Sequence, residues 1–369
     1  MYRVALVVIA RNEAPRLPRL LRSVAPWVDE MVVLDTGSTD GTPEVARAGG
    51  ARVAHFEWVD DFSAARNVAL EQAGADWHLV LDADEWLVQG GPFLRELRTL
   101  PPRFVGSVRL EEHCGPDGAL HSVERLTRLL PGHVRYAGCI HEQPVHALPG
   151  ERTPLCVAHD GYQASALAAK RGRNRRLLEQ ALRAAPEDPY LWYQLGKDAS
   201  VYEEHGLAEE AFAQARCRMR GDEPWLIDLV VRRLHSLTRL GRHEPAHAVA
   251  RTEQSACERS PDFHFAVGNL LLDWTASAPQ HAAALLQGAE ASWRNCLELG
   301  EHPEVPGAVL GRGGALAAYN LALVCEGTGR PEEAQALRRR FGLEAATGLA
   351  GSGTVTPAAA TAPPEPARA

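Results

Sequence analysis

The 369-residue chain is 45% hydrophobic and 23% charged, with a formal net charge of -8. That length suits two domains, and the composition suits a packed core rather than a disordered chain. The acidic balance argues against a dedicated nucleic-acid binder, which shows a clustered basic excess. A local basic run, Lys170, Arg171, Arg173, Arg175 and Arg176, reads as a solvated helix face at a domain junction. Seven cysteines, at 114, 139, 156, 217, 257, 296 and 325, are scattered and form no Cys-x-x-Cys. They fit buried thiols in a reducing compartment better than a disulfide framework or a zinc site. The apolar run Val4 to Ala10 breaks at once into Arg11-Asn12-Glu13, too soon for a secretory signal. No apolar stretch reaches the roughly 20 residues that a membrane span needs. A soluble, cytoplasmic protein is expected, with room for a peripheral place at the inner membrane face.

Strand and helix signals alternate through the first half. Val4 to Ala10 is a continuous apolar run, as expected of a parallel strand buried on both faces. Leu17, Leu20, Leu21 and Val24 follow at helical spacing, with Pro15 and Pro18 near the start. Met31 to Leu34 is a second strand, ending at Asp35 and the turn-rich Gly37-Ser38-Thr39-Asp40-Gly41. A helix over Glu44 to Ala48, a strand over Arg52 to Phe56, a helix over Ser63 to Ala73 and a strand over His78 to Leu81 complete the pattern. Repeats of this length imply right-handed crossovers and a mostly parallel sheet, with ligands at the carboxyl ends of its strands.

Past about residue 165 the strand signals vanish and an all-α segment begins. Trp192, Leu195, Gly196, Ala208, Phe212 and Ala215 stand at the small and large positions of a tetratricopeptide repeat. Gly241 with Ala246, and Gly329 with Glu332, Glu333 and Ala334 after Asn320-Leu321-Ala322, mark two further repeat-like turns. The expected organisation is a domain over 1–165, helical repeats over 166–345, and a disordered Gly, Thr, Ala and Pro-rich tail over 346–369.

The chemistry centres on Asp82-Ala83-Asp84-Glu85 at the end of an apolar strand. Two carboxylates at i and i+2 can meet one hard divalent cation and the hydroxyls of a ribose. Mg²⁺ and Mn²⁺ favour such oxygen ligands while leaving room for substrate phosphates. An isolated Asp-x-Asp is a weak signal, because acidic turns are common. Here Asp35-Thr36-Gly37-Ser38-Thr39-Asp40 also follows a buried strand, and a parallel sheet would put both groups along one crevice.

Four motifs in order carry a resemblance to the family 2 glycosyltransferases. They are Arg11-Asn12-Glu13, then Val33-Leu34-Asp35-Thr36-Gly37-Ser38-Thr39-Asp40, Phe62-Ser63-Ala64-Ala65-Arg66-Asn67, and Asp76-Trp77 leading into Asp82-Ala83-Asp84-Glu85. The match runs from Val4 to about Leu87. A weaker one continues through Arg125-Leu126-Thr127-Arg128, Gly138-Cys139-Ile140-His141-Glu142 and His159-Asp160-Gly161-Tyr162. Those residues resemble lipopolysaccharide-core glucosyltransferases and the repeat-containing glycosyltransferases of bacteria. The Gln-x-x-Arg-Trp signature of processive members is absent, which favours single-sugar transfer.

The resemblance implies a GT-A-type α/β fold followed by the TPR-like helical domain. It implies a hexosyltransferase-type enzyme that moves one sugar from a nucleoside diphosphate sugar, a UDP-sugar being the expected donor, with inversion and Mn²⁺ or Mg²⁺. Asp35 would contact the base, with Asn12 and Glu13 shaping that pocket. Asp82 would contact ribose or metal, and Asp84 would ligate the metal directly. Arg66 resembles the helix arginine near the pyrophosphate; the alternative is a salt bridge to a domain acid. Glu142 is the first choice for the general base and Glu112 the second, while His141 is a metal ligand or an acceptor contact. Arg125 and Arg128 suit a phosphate or an anionic acceptor group, and His159 is either a site residue or a structural histidine. The acceptor would be a glycan, lipid-linked or protein molecule recruited by the repeats, and never a nucleic acid. A non-catalytic nucleotide-sugar-binding or repeat scaffold is the rival, but it would be free to lose Asp35, Asp82 and Asp84. A nucleotidyltransferase would carry a Gly-rich basic loop where Arg11-Asn12-Glu13 stands.

Overall fold

The computed structural model describes residues 1–114, 120–159 and 172–343, without the side chains of 112–123. The expected boundary at 165/166, Asp160 to Tyr162, Lys170, Arg171 and the tail over 346–369 lie outside the described residues. The chain divides into two compact units, Met1–His113 with Glu124–Ala181, and Cys114–Val123 with Leu182–Ala369.

In the first unit, β1 (Val4–Ala10), β2 (Glu30–Asp35), β3 (Arg52–His55) and β4 (Trp77–Val80) alternate with α1 (Leu17–Val24), α2 (Thr42–Ala48) and α3 (Phe62–Ala73). Then come β5 (Glu85–Gln89), α4 (Gly91–Glu96), β6 (Val105–Cys114), β7 (Leu120–Pro131), β8 (Arg135–Ala137), β9 (Gln143–Val145) and β10 (Gly150–His159). Eight strands form one sheet in the order β3-β2-β1-β4-β7-β6-β10-β5, and β8 pairs with β9 apart from it. The first four strands run parallel, as the alternating pattern implies. β7 lies antiparallel to β4, β10 parallel to β6, and β5 antiparallel to β10, so the sheet is mixed.

The run Val4–Ala10 shows why the strand is apolar throughout. Val4, Leu6, Val8 and Ala10 enter one core cluster with Leu17, Leu20, Leu21 and Val24 of α1. Ala5 and Val7 enter the cluster on the other face, with Ala65, Ala69, Leu70 and Ala73 of α3. A strand covered on both sides has no polar alternation. Helix α3 starts where Asp61 accepts from the Ala64 N–H at 2.9 Å and stops at Gly74, whose φ is 56°.

The second unit is helical. After α5 (Arg173–Ala184), most of which belongs to the first unit, come α6 (Pro189–Val201), α7 (His205–Arg218), α8 (Leu226–Arg239), α9 (His243–Cys257), α10 (Pro261–Ser277), α11 (Ala282–Leu299), α12 (Ala315–Gly327) and α13 (Pro331–Arg340). Gly196 of α6 explains its own identity: a Cβ there would lie 2.5 Å from the Phe212 ring of α7. The same device recurs at α10 and α11, where a Cβ on Gly268 would meet Trp293 at 2.5 Å. Sequence patterning marked the turns near Gly241 and Gly329 but not this pair, because its large residue is Trp. Buried acids brace the array. Asp228 accepts from the Tyr193 hydroxyl at 2.5 Å and from Arg232 at 2.6 Å, and Asp262 accepts from Arg312 and the Val309 N–H.

That contact separates packing from propensity. In an open helix Gly→Ala gains about 1 kcal/mol, but Gly196→Ala must push Phe212 aside at an overpacking cost of about 1–3 kcal/mol. Gly206→Ala, with nothing within 4 Å of its Cβ position, serves as the control. Urea melts should show a lowered midpoint for Gly196→Ala and an equal or raised one for Gly206→Ala.

Candidate active site

The parallel strands deliver their carboxyl ends side by side. Ala10 stands opposite Asp35, and Asp35 opposite His55. The Leu81 N–H still reaches Val7 O at 3.2 Å, so Asp82 leaves the sheet just beyond. The loops after β1 and β2 are stitched together. Asn12, at φ 57°, accepts from the Thr39 N–H at 2.8 Å, and its own N–H donates to Ser38 Oγ at 2.9 Å. Asn tolerates this left-handed backbone better than most residues. Glu13 pairs with Arg16 at 2.8 Å. The buried Asp35 carboxylate accepts from the N–H groups of Gly37 and Ser38 at 3.2 Å, with His55 Nδ1 at 3.5 Å.

Next to these loops lies a network of five charged side chains. Arg66 of α3, only 8% exposed, donates from Nη2 to Asp82 Oδ1 at 2.8 Å and from Nε to Glu142. Arg128 of β7 donates to Asp82 Oδ2 at 2.7 Å and to Glu85 Oε1 at 2.9 Å. Glu85 Oε2 in turn accepts from the Asp82 N–H at 2.9 Å, closing the acidic turn on itself. Both Asp82 oxygens are therefore engaged by guanidiniums. The Arg66 guanidinium lies 5.5 Å from the Tyr136 ring centre. Among the described residues its Nη1 is buried with no hydrogen-bond partner, as is Arg128 Nε.

Charge and burial compete here. Burial pushes the Asp82 carboxyl up, but Arg128 and Arg66 outweigh it and hold the group well below the usual carboxylate range. Burial drives Glu85 the other way, to about 7; Arg128 opposes this and Asp82 adds to it. Burial lowers both arginines, yet Asp82 with Glu142 keeps Arg66 raised, and Asp82 with Glu85 keeps Arg128 raised. Burial also pushes the Tyr136 hydroxyl up.

Glu142 reaches this network because its segment is docked on α3. The Asn67 side chain exchanges two hydrogen bonds with the Tyr136 backbone, at 2.9 and 2.8 Å, in the manner of a strand neighbour. The Phe62 N–H bonds to Cys139 O at 2.9 Å. Gly138 and His141, at φ 100° and 50°, turn the chain so that Glu142 faces Arg66, and the His141 carbonyl accepts from Gln143 Nε2 at 3.2 Å.

Asp84 has a histidine beside it. His159, the last residue of β10, stands opposite Glu85 on β5 and Glu112 on β6, and its Nε2 is 3.1 Å from Asp84 Oδ2. The structure therefore joins Arg66, Asp82, Arg128 and Glu142 in one network and places Asp84 beside His159. Asn12 and Asp35 occupy the neighbouring strand ends. Arg125 is exposed and outside the network, and the Glu112 side chain lies outside the described residues. Sequence reasoning assigned no role to Glu85 or Tyr136. Glu85 stood in plain view behind the acidic pair, whereas Tyr136 carried no local signal.

If Arg66 holds the network together, Arg66→Ala strands Glu142 and half of Asp82 and should cost about 3–5 kcal/mol of stability. Arg66→Lys should cost less, and Asp84→Ala close to nothing. An unchanged denaturation midpoint for Arg66→Ala would remove it from that role.

Residues 5–112 match the model for glycosyl transferase family 2. A TPR repeat-containing protein of Synechococcus elongatus is 40% identical over 212 residues, covering 53% of this chain and 52% of that protein. Glycosyltransferase SunS of Bacillus phage SPbeta is 32% identical over 204 residues, covering 52% and 48%. The chain thus spans about half the length of the curated relatives it matches. Among solved structures, glucosyl-3-phosphoglycerate synthase from Mycobacterium tuberculosis, in complex with Mn²⁺ and UDP-glucose, is 26% identical. That match covers 30% of this chain and 44% of that one, with a TM-score of 0.25, too low to argue from. No helix among the described residues is long and apolar enough to cross a membrane. Residues 5–112, whose ordered motifs stand at strand ends of the mixed sheet, thus match a family 2 glycosyltransferase domain, and a helical unit follows in sequence.

Proposed function

We propose that the protein is a glycosyltransferase that moves a single sugar from a nucleoside diphosphate sugar to an acceptor, with inversion and with a divalent cation. The observation that carries this reading is the placement of Asp35 after β2 and of Asp82 and Asp84 after β4, on either side of β1, with two arginines that keep unfilled donors among the described residues. Asp35, backed by the loop that Asn12 and Ser38 stitch together, suits the base of the nucleotide, and Asp82 suits the ribose. A diphosphate would fill the open donors of Arg66 and Arg128, since a guanidinium fork matches phosphate oxygens.

The donor set fits Mn²⁺ or Mg²⁺. Among the described residues no group of three or more His, Cys, Asp or Glu side chains could hold a metal ion. Mn²⁺ and Mg²⁺ are commonly held through one or two carboxylates and completed by substrate phosphates. Asp84 would hold the ion, with His159 beside it, and Asp82 would join only by giving up an arginine. When bound, the ion neutralises charge on the departing diphosphate. Glu142 remains the first choice to take the acceptor proton, a role that requires it to loosen from Arg66; Glu112 is the alternative. The helical unit would recruit the acceptor, because stacked repeats present extended binding surfaces.

Slow donor hydrolysis needs no acceptor, so a screen of nucleoside diphosphate sugars with Mn²⁺ tests the reading directly. Asp84→Ala should lower that hydrolysis by on the order of 100-fold or more while leaving the melting temperature nearly unchanged. Full activity in excess chelator would sink the cation.

The base assignment separates from donor binding. Glu142→Gln should leave UDP affinity near wild type while transfer falls by roughly 10²–10⁴-fold. If His141→Ala is the more damaging and alters Mn²⁺ dependence, Glu142 instead positions His141.

A further inference from the structure

Three arginines gather on the sheet away from the charged network. Arg109 is on β6, Arg125 on β7 and Arg152 on β10, which are adjacent strands in the order β7-β6-β10. Arg152 stands opposite Ser107, and Arg109 follows Ser107 by two residues, so both point to one face. Val108, Leu110 and Leu126 pack into the core cluster on the opposite face, which turns Arg125 to the same side as Arg109. All three are exposed. Arg125 is pulled below the ordinary arginine range by its partial burial and then by the charges of Arg152 and Arg109. Among the described side chains, the acid paired with them is Glu111, on Arg109.

Like charges on neighbouring strands are destabilising, and in a chain of net charge -8 this cluster runs against the overall field. Among the described side chains, three neighbouring guanidiniums with one paired carboxylate, Glu111 on Arg109, offer forks of the geometry that binds phosphate bidentately. The patch shares β10 with His159. Arg109 stands opposite Cys156, three residues and roughly 10 Å along β10 from His159.

We propose that Arg109, Arg125 and Arg152 form a phosphate-group site on this face of the sheet, distinct from the Arg66 and Arg128 network. A phosphate anchored here would keep the rest of its carrier within reach of the strand ends. The site stands independently of the transferase reading, because its test is run without donor.

Binding of inorganic phosphate would be followed by ³¹P NMR and by the shift in melting temperature. Binding to vesicles of phosphatidylglycerol diluted in phosphatidylcholine, against phosphatidylcholine alone, would be followed by co-sedimentation. Wild type should bind, and rising salt should weaken it. Arg125→Gln and Arg152→Gln should each weaken binding about tenfold, while each raises the melting temperature slightly without phosphate, because a like charge is gone. Phosphate binding without vesicle binding assigns the site to a soluble phosphate carrier; vesicle binding assigns it to a lipid headgroup. No binding of either by wild type, or equal binding by the folded double variant, overturns the proposal.

Discussion

Arg66 is the side chain on which the first unit's functional end depends. A guanidinium taken almost wholly out of water is costly, and the cost is offset only by good geometry with opposite charges. Asp82 and Glu142 supply it, from residues 16 and 76 positions along the chain. One buried cation thus defines where the acidic turn after β4 and the loop before β9 must sit. Arg128 repeats the arrangement from β7, and Glu85 ties the turn to its own backbone. If any of these partners moved, a buried charge would be left uncompensated.

The mixed sheet explains how such distant residues converge. Parallel strands bring Asp35, Asp82 and the Asn12 loop to one edge, the usual place for ligands in open α/β sheets. The remaining strands then add what parallel topology alone would not: Arg128 from β7, and His159 from the end of β10. The result has two electrostatic characters side by side. Asp82 is saturated by arginines, while Asp84 has an imidazole as its neighbour. Two aspartates two residues apart thereby sit in different electrostatic surroundings, Asp82 between guanidiniums and Asp84 against an imidazole.

The helical unit is built on another constraint, the distance of closest approach between paired helices. Gly196 against Phe212 and Gly268 against Trp293 are the same contact made with different rings. A residue with no side chain lets the facing aromatic sink against the backbone, and close packing then holds the pair together. The buried Asp228 and Asp262, each satisfied by an arginine and a further donor, add polar register to an otherwise apolar stack.

Local signals decided a good deal by themselves. The run Val4–Ala10 had to be a strand covered on both faces, because nothing in it could face water. Leu17, Leu20, Leu21 and Val24 had to be the buried stripe of a helix, and all four are. The ordered motifs around Asn12, Asp35, Arg66 and Asp82 named the domain, and the Gly196 to Phe212 spacing named the repeat. What no local pattern contained was pairing between distant residues. Whether Arg66 would meet a phosphate or a domain acid could not be read from its helix, because the answer depends on where residues 82 and 142 arrive. Glu85, Tyr136 and His159 gained their meaning in the same way. Periodicity reports which face of an element is buried, but the partner of a buried charge is chosen by the tertiary structure, through the cost of leaving that charge alone.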